Sequence, residues 1–163
     1  WILAGSLMAV FSHRPLFAGI YCFFFFFSMD VAYYIVQTGY YRLPTSSYFV
    51  FWMAAAAVPV LPGAVMWYAK GGGIAAALLA ALPVGGILGE SLFSLFTLIE
   101  QLRLGNLASA AGFLVPLFFC VAAAAILLIL LPQNRRQRLY QAGFALPVIP
   151  AAYLLLRVFG GGH

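Results

Sequence analysis

From Leu107 to Leu131 the chain runs without one charged side chain. A hydrophobic run of about 18 residues or more reads as a membrane-spanning helix, because about 20 residues at 1.5 Å rise cross a hydrocarbon core of about 30 Å. Five further apolar segments precede or follow it: Trp1–Ser12, Pro15–Thr38, Ser47–Ala69, Gly73–Ile99 and Leu139–Phe159. Trp1–Ser12 is too short to span by itself and reads as the end of a longer helix. The expected fold is all-α: a polytopic transmembrane helical bundle of five or six spanning helices, forming a single transmembrane domain over 1–163.

The breaks between runs have local causes. Ser12-His13-Arg14-Pro15 is a polar stop followed by a helix-starting proline. Arg42-Leu43-Pro44-Thr45-Ser46-Ser47 supplies a proline turn and hydroxyl caps. Lys70-Gly71-Gly72-Gly73 is a short hairpin loop, and Gly105 and Asn106 stand just before the fifth run. Pro132-Gln133-Asn134-Arg135-Arg136-Gln137-Arg138 is the most polar stretch and reads as a loop. None of these connections is long enough to hold a soluble domain.

Only 7% of the residues are charged and 66% are hydrophobic, with a mean hydropathy of +1.06. A soluble domain carries about 25% charged residues, so lipid must solvate most of this surface. The net charge of +5 comes from eight basic and three acidic residues scattered between apolar runs. That pattern reads as topology control and contact with anionic headgroups, not nucleic-acid binding. Arg135, Arg136 and Arg138 are the expected headgroup contacts, with docking of a cytoplasmic partner as the alternative. Cys22 and Cys120 lie inside apolar runs and read as packing residues. With His13 and His163 the only histidines, no metal set can be assembled, and no cofactor is expected. No H-E-x-x-H, G-x-S-x-G or P-loop pattern occurs, so no catalytic residue is assigned.

Successive loops alternate between two faces. One receives Arg14, Lys70, Arg135, Arg136 and Arg138; the other receives Arg42, Arg103 and Arg157. The basic bias makes the first face cytoplasmic and clusters Tyr40, Tyr41 and Tyr48 at the outer interface. It also places Trp1 outside; a truncated N-terminus is expected, and an upstream helix, if there is one, would return it to the cytoplasm. The Gly160-Gly161-Gly162-His163 ending reads as a flexible tail.

Two acids stand inside the runs. A charge at membrane depth costs at least about 2.5–3.5 kcal/mol on insertion scales, so each needs a reason. Asp30 precedes Thr38 by eight residues and Glu90 precedes Ile99 by nine. Both helices run from inside to outside, which puts both carboxylates roughly 12–14 Å below the outer boundary. Tyr33 or Tyr34, Gln37 and Tyr41 follow Asp30 at helical spacing; Ser94, Thr97 and Gln101 follow Glu90. Two polar stripes on apolar helices face protein or water rather than lipid. The expected substrate-binding set is Asp30, Glu90, Tyr33, Tyr34, Gln37, Ser94 and Thr97, around a vestibule opening outward.

A structural reading competes with this one: each acid protonated, capped by a hydroxyl, or paired with Arg42, Arg103 or Arg157. Glu100, three residues from Arg103, reads as a surface ion pair. Gly85-x-x-x-Gly89 after Pro83 and an alanine-rich stretch marks the fourth run as central and closely packed. Pro83 with Gly85 and Gly86 also provides for a kink or for freed carbonyls. Val58-Pro59-Val60-Leu61-Pro62 echoes Leu146-Pro147-Val148-Ile149-Pro150, which an inverted repeat of three helices per half would produce; chance recurrence of proline pairs in apolar sequence is the favoured reading.

Trp1-x-x-x-Gly5, Tyr33-Tyr34, Trp52, Pro62-Gly63 and Gly89-Glu90, in this order, resemble a family of small bacterial polytopic membrane proteins of unknown function. The resemblance covers most of the chain. It implies a multi-pass helical bundle in the bacterial cytoplasmic (inner) membrane and brings no activity or site residues. In size and span number the chain is also similar to the substrate-binding membrane subunits of energy-coupling-factor vitamin transporters, an analogy of architecture alone. The leading functional expectation is binding or transport of a small polar or cationic solute, or of protons. The alternatives are a non-transporting scaffold or accessory subunit with the acids as interhelical glue, and an intramembrane enzyme, which needs the two carboxylates within about 6 Å of each other. A membrane partner or homo-oligomer fits any of these.

Overall fold

The computed structural model describes residues 1–40 and 46–160. Tyr41, Arg42, Pro44, Thr45 and Gly161 to His163 lie outside the described residues, as does the side chain of Tyr48. Every regular element among the described residues is helical: α1 (Ile2–Phe11), α2 (Pro15–Gly39), α3 (Ser46–Ala55), α4 (Val60–Met66), α5 (Ile74–Arg103), α6 (Leu107–Leu130) and α7 (Arg135–Gly160), with a 3-10 turn over Trp67–Lys70. Five stretches are long and apolar enough to cross a membrane: Pro15–Gly39, Phe49–Lys70, Ile74–Arg103, Leu107–Leu130 and Arg135–Val158. The chain is an all-α, multi-pass membrane protein.

Two boundaries differ from expectation. The third span is not one helix but α3 and α4 joined by a turn at residues 56–59. Pro59 has no N–H to give the Ala55 carbonyl, which accepts from the Val58 N–H at 2.9 Å instead. The Pro59 carbonyl then takes the Gly63 N–H at 2.8 Å and helix resumes. The echoing segment with Pro147 and Pro150 stays helical within α7, so the two proline pairs have different backbones. At the other boundary, Arg135, Arg136 and Arg138 are not in a loop but form the first turn of α7. There the Arg138 N–H bonds the Asn134 carbonyl at 3.0 Å, and the Gln137 side chain accepts the Gln133 N–H at 3.0 Å. The first is the opening bond of the α7 ladder, and the second ties the chain just before the helix to its first turn.

The chain divides into two compact units, Ala4–Tyr68 and Trp1–Leu3 with Ala69–His163. In the first, α2 packs on α4 through small residues. A Cβ on Gly19 would stand 2.7 Å from the Val60 carbonyl oxygen, and one on Gly63 would stand 2.8 Å from Cys22 Sγ. Cys22 is buried here and reaches the Gly5 carbonyl, as a packing residue does.

In the second unit α5 packs against both α6 and α7. More than half of its span, 56%, is buried, against 11–22% for the other spans, so α5 is the central helix. Its buried face is small: Ala76, Ala77, Ala80, Ala81, Gly85 and Gly89. A Cβ on Gly85 would stand 2.5 Å from Val148 Cβ, and one on Gly89 would stand 2.5 Å from Ala152 Cβ and 3.0 Å from the Ile149 carbonyl. The G-x-x-x-G spacing thus brings two backbones into contact. At the far end of α5, Gly105 (φ +74°) closes a Schellman turn: its N–H bonds Leu102 O at 3.1 Å, and the Asn106 N–H bonds Gln101 O at 2.9 Å. Asn106 then caps α6, its side chain accepting from Ser109 N at 3.3 Å.

Gly89→Ala is expected to lower unfolding stability by about 1–3 kcal/mol, the usual cost of overpacking. Gly112→Ala in α6, where a Cβ meets nothing within 4 Å, is expected to lose none. Thermal unfolding of both variants in the same detergent checks the contrast; equal stability would contradict the contact.

Candidate functional site

The first polar stripe forms on α2. Asp30 is half-buried, nine residues before the helix end at Gly39. Gln37 Nε2 donates to the Tyr33 hydroxyl oxygen at 2.7 Å, so those two side chains form one exposed polar group one to two turns beyond Asp30. Tyr34 stacks on Phe49 of α3 with ring centroids 4.2 Å apart. Its ring is thereby held within this unit, while the Thr38 hydroxyl turns back to the Tyr34 carbonyl at 2.8 Å.

The second set of expected polar residues lies on α5. Glu90 is exposed, whereas Ser91 and Ser94 are buried. The Thr97 hydroxyl donates to the Phe93 carbonyl at 3.0 Å, so its proton is committed to its own helix and only its lone pairs remain for a ligand. α5 continues one turn beyond Ile99, through Glu100 and Gln101 to Arg103. That turn is polar, so the apolar boundary stays near Ile99.

Asp30 and Glu90 belong to different units. Among the described residues, neither acid makes an ion pair or a hydrogen bond. Nor does Glu100 pair with Arg103, three residues away: both are exposed, and such a pair contributes ~0–1 kcal/mol at best. The described residues contain no group of three or more His, Cys, Asp or Glu side chains able to hold a metal.

Polar bonding across α5 and α7 is carried instead by glutamines that periodicity alone did not single out. Gln133 Nε2 donates to the Lys70 carbonyl at 2.6 Å, Gln137 Nε2 to the Gly71 carbonyl at 2.9 Å, and Gln141 Nε2 to the Ala80 carbonyl at 3.1 Å. Gln141 is fully buried, and its Oε1 has no partner among the described residues. The four-residue spacing of Gln133, Gln137, Gln141 and Ala145 was the available signal, hidden because its first half sits in what reads as a loop.

Compared with protein-family models, with curated proteins and with solved structures, the chain matches none. The likeness to small bacterial polytopic proteins therefore rests on its short motifs. Of these, Gly63 and Gly89 sit at close helix contacts and Tyr33 in the α2 polar group.

Tyr33→Phe removes the acceptor of Gln37 at an exposed position, so unfolding stability should stay within about 0.5 kcal/mol. Gln141→Ala opens a buried cross-helix bond of the kind worth about 0.6 kcal/mol in membrane proteins, together with a cavity, and should cost more. Denaturant titration of both variants against the parent chain tests that order.

Proposed function

We propose that this membrane protein binds, or carries across the bilayer, a small polar or cationic solute or protons. Asp30 and Glu90 supply negative charge and proton exchange from an outward-facing vestibule. Tyr33, Tyr34, Gln37 and Ser94 add hydrogen bonds, and Thr97 offers a hydroxyl oxygen. The bilayer is the bacterial cytoplasmic membrane, with Arg14, Lys70 and the α7 arginines on its inner side.

One observation carries this reading. Both acids stand within membrane-crossing helices, yet among the described residues no arginine, amide or hydroxyl engages either carboxylate. Acids retained as interhelical glue need such partners, because an unpaired charge at that depth is costly. The glue in the α5–α7 pair is amide to carbonyl and leaves Glu90 out. Unengaged carboxylates on two apolar helices suit groups kept for a ligand or a proton.

Reconstitution into liposomes under an imposed membrane potential tests the proposal, with an enclosed pH dye reporting proton entry. Thermal stabilisation by guanidinium reports cation binding. The parent chain should show one or both. Glu90→Gln and Asp30→Asn should each reduce that signal at least about tenfold, the loss expected when a charged contact worth about 1.5–3 kcal/mol goes. If no variant differs from the parent in either signal while both substitutions lower stability by more than about 1 kcal/mol, the scaffold reading replaces this one.

A further inference from the structure

At the shared start of α5 and α7 the second unit holds a depression of about 390 Å³. Gly73, Ile74, Asn134, Arg135, Arg136 and Tyr140 line it. We propose that this depression binds the phosphate group of an anionic phospholipid headgroup.

Its charge is one-sided. Two arginines face it, and neither α5 nor α7 has an acidic residue in its first turn. The nearest carboxylate along α5 is Glu90, sixteen residues beyond Ile74, roughly 24 Å away at helical rise. Arg135 and Arg136 make no ion pair among the described residues. A guanidinium fork matches two phosphate oxygens at once, which a lysine ammonium does not.

Its position is fixed by two glutamines, of which Gln137 also lines it. Gln133 and Gln137 clamp the start of α7 to the carbonyls of Lys70 and Gly71, just before α5. That clamp sets Arg135 and Arg136 beside Gly73. Gly73 adopts φ +102°, a conformation that side chains rarely take, and supplies no capping group. Only from Ala77, whose N–H bonds the Gly73 carbonyl at 3.2 Å, does the ladder of α5 begin. The Ile74 amide at the depression thus lies ahead of the ladder, where an anion is favoured. These amides add to what the arginine pair and the cavity already provide.

A lipid suits the rim better than a free ion does. Ile74 is 60% exposed and Tyr140 48%, at the level where two apolar spans begin. An acyl chain and glycerol can lie on these side chains while the phosphate meets the arginines. Basic pockets between helix ends bind lipid headgroups in this manner.

Arg138 provides the discriminating control. It sits in the same basic turn but does not line the depression. The purified full chain in neutral detergent would be titrated with short-chain phosphatidylglycerol, with short-chain phosphatidylcholine and with inorganic phosphate, reading bound lipid by native mass spectrometry and stabilisation by thermal shift. Phosphatidylglycerol should bind and stabilise, and the other two should not. Arg135→Ala with Arg136→Ala should weaken it at least about tenfold, while Arg138→Ala stays within about twofold. The double lysine variant keeps the charge and should bind several-fold more weakly than the parent, which secures the test if the alanine variant fails to fold. Equal losses from all three arginines would mean diffuse surface attraction and would overturn the proposal. Binding of inorganic phosphate as tightly as the lipid would overturn the lipid source.

Discussion

The α5–α7 pair depends on backbone approaching backbone at Gly85 and Gly89. In lipid, no hydrophobic force draws two apolar helices together, because acyl chains are as apolar as leucine. Close van der Waals contact and interhelical hydrogen bonds must do it. The absent side chains at Gly85 and Gly89 let Val148 and Ala152 of α7 into contact. One turn at a time toward the helix start, Ala145, Gln141 and Gln137 continue that seam. There the cross-helix amides meet carbonyls of the Lys70–Gly71 turn and of Ala80. The seam therefore fixes both where α7 begins and which arginines stand beside the start of α5.

Much of this could be read from the chain before any coordinates. The apolar runs, the Gly105–Asn106 turn and the packing role of Gly85 and Gly89 follow from length, spacing and side-chain size. The break at Pro59 was harder, because an apolar run containing prolines is compatible with a continuous membrane helix, as α5, α6 and α7 show with Pro83, Pro116, Pro147 and Pro150. At Pro59 the Ala55 carbonyl finds a nearer donor, and the helix gives way to a turn. Nor did polarity at Gln133 to Arg138 reveal a helix. The bonds of Gln133 and Gln137 to each other and to the Lys70 and Gly71 carbonyls hold a loop-like composition as the first turn of α7, and only three-dimensional partners disclose it.

Asp30 and Glu90 were conspicuous in the sequence because charge is scarce in it. What the structure adds is contrast. Polar groups that hold helices together are engaged: Gln133, Gln137 and Gln141 each reach a named carbonyl. Thr97 and Thr38 are engaged with their own helices. The two membrane-depth acids are not engaged by any described residue. Groups that are costly to place and that bond nothing nearby are the ones a ligand or a proton can use.

The proposed role requires each acid to open to the outer aqueous phase. Cys22 and Cys120 are free and buried, so single cysteines would be placed at Asp30 and at Glu90 in a chain with both native cysteines changed to alanine. Labelling with a membrane-impermeant thiol reagent, in sealed vesicles of known orientation, reads the accessible side of each position directly. Reaction of both positions from the outer side, with a cysteine at Arg138 reacting only from the inner side, is the predicted result. Failure of either acid's position to react from the outer side would contradict its proposed outward opening.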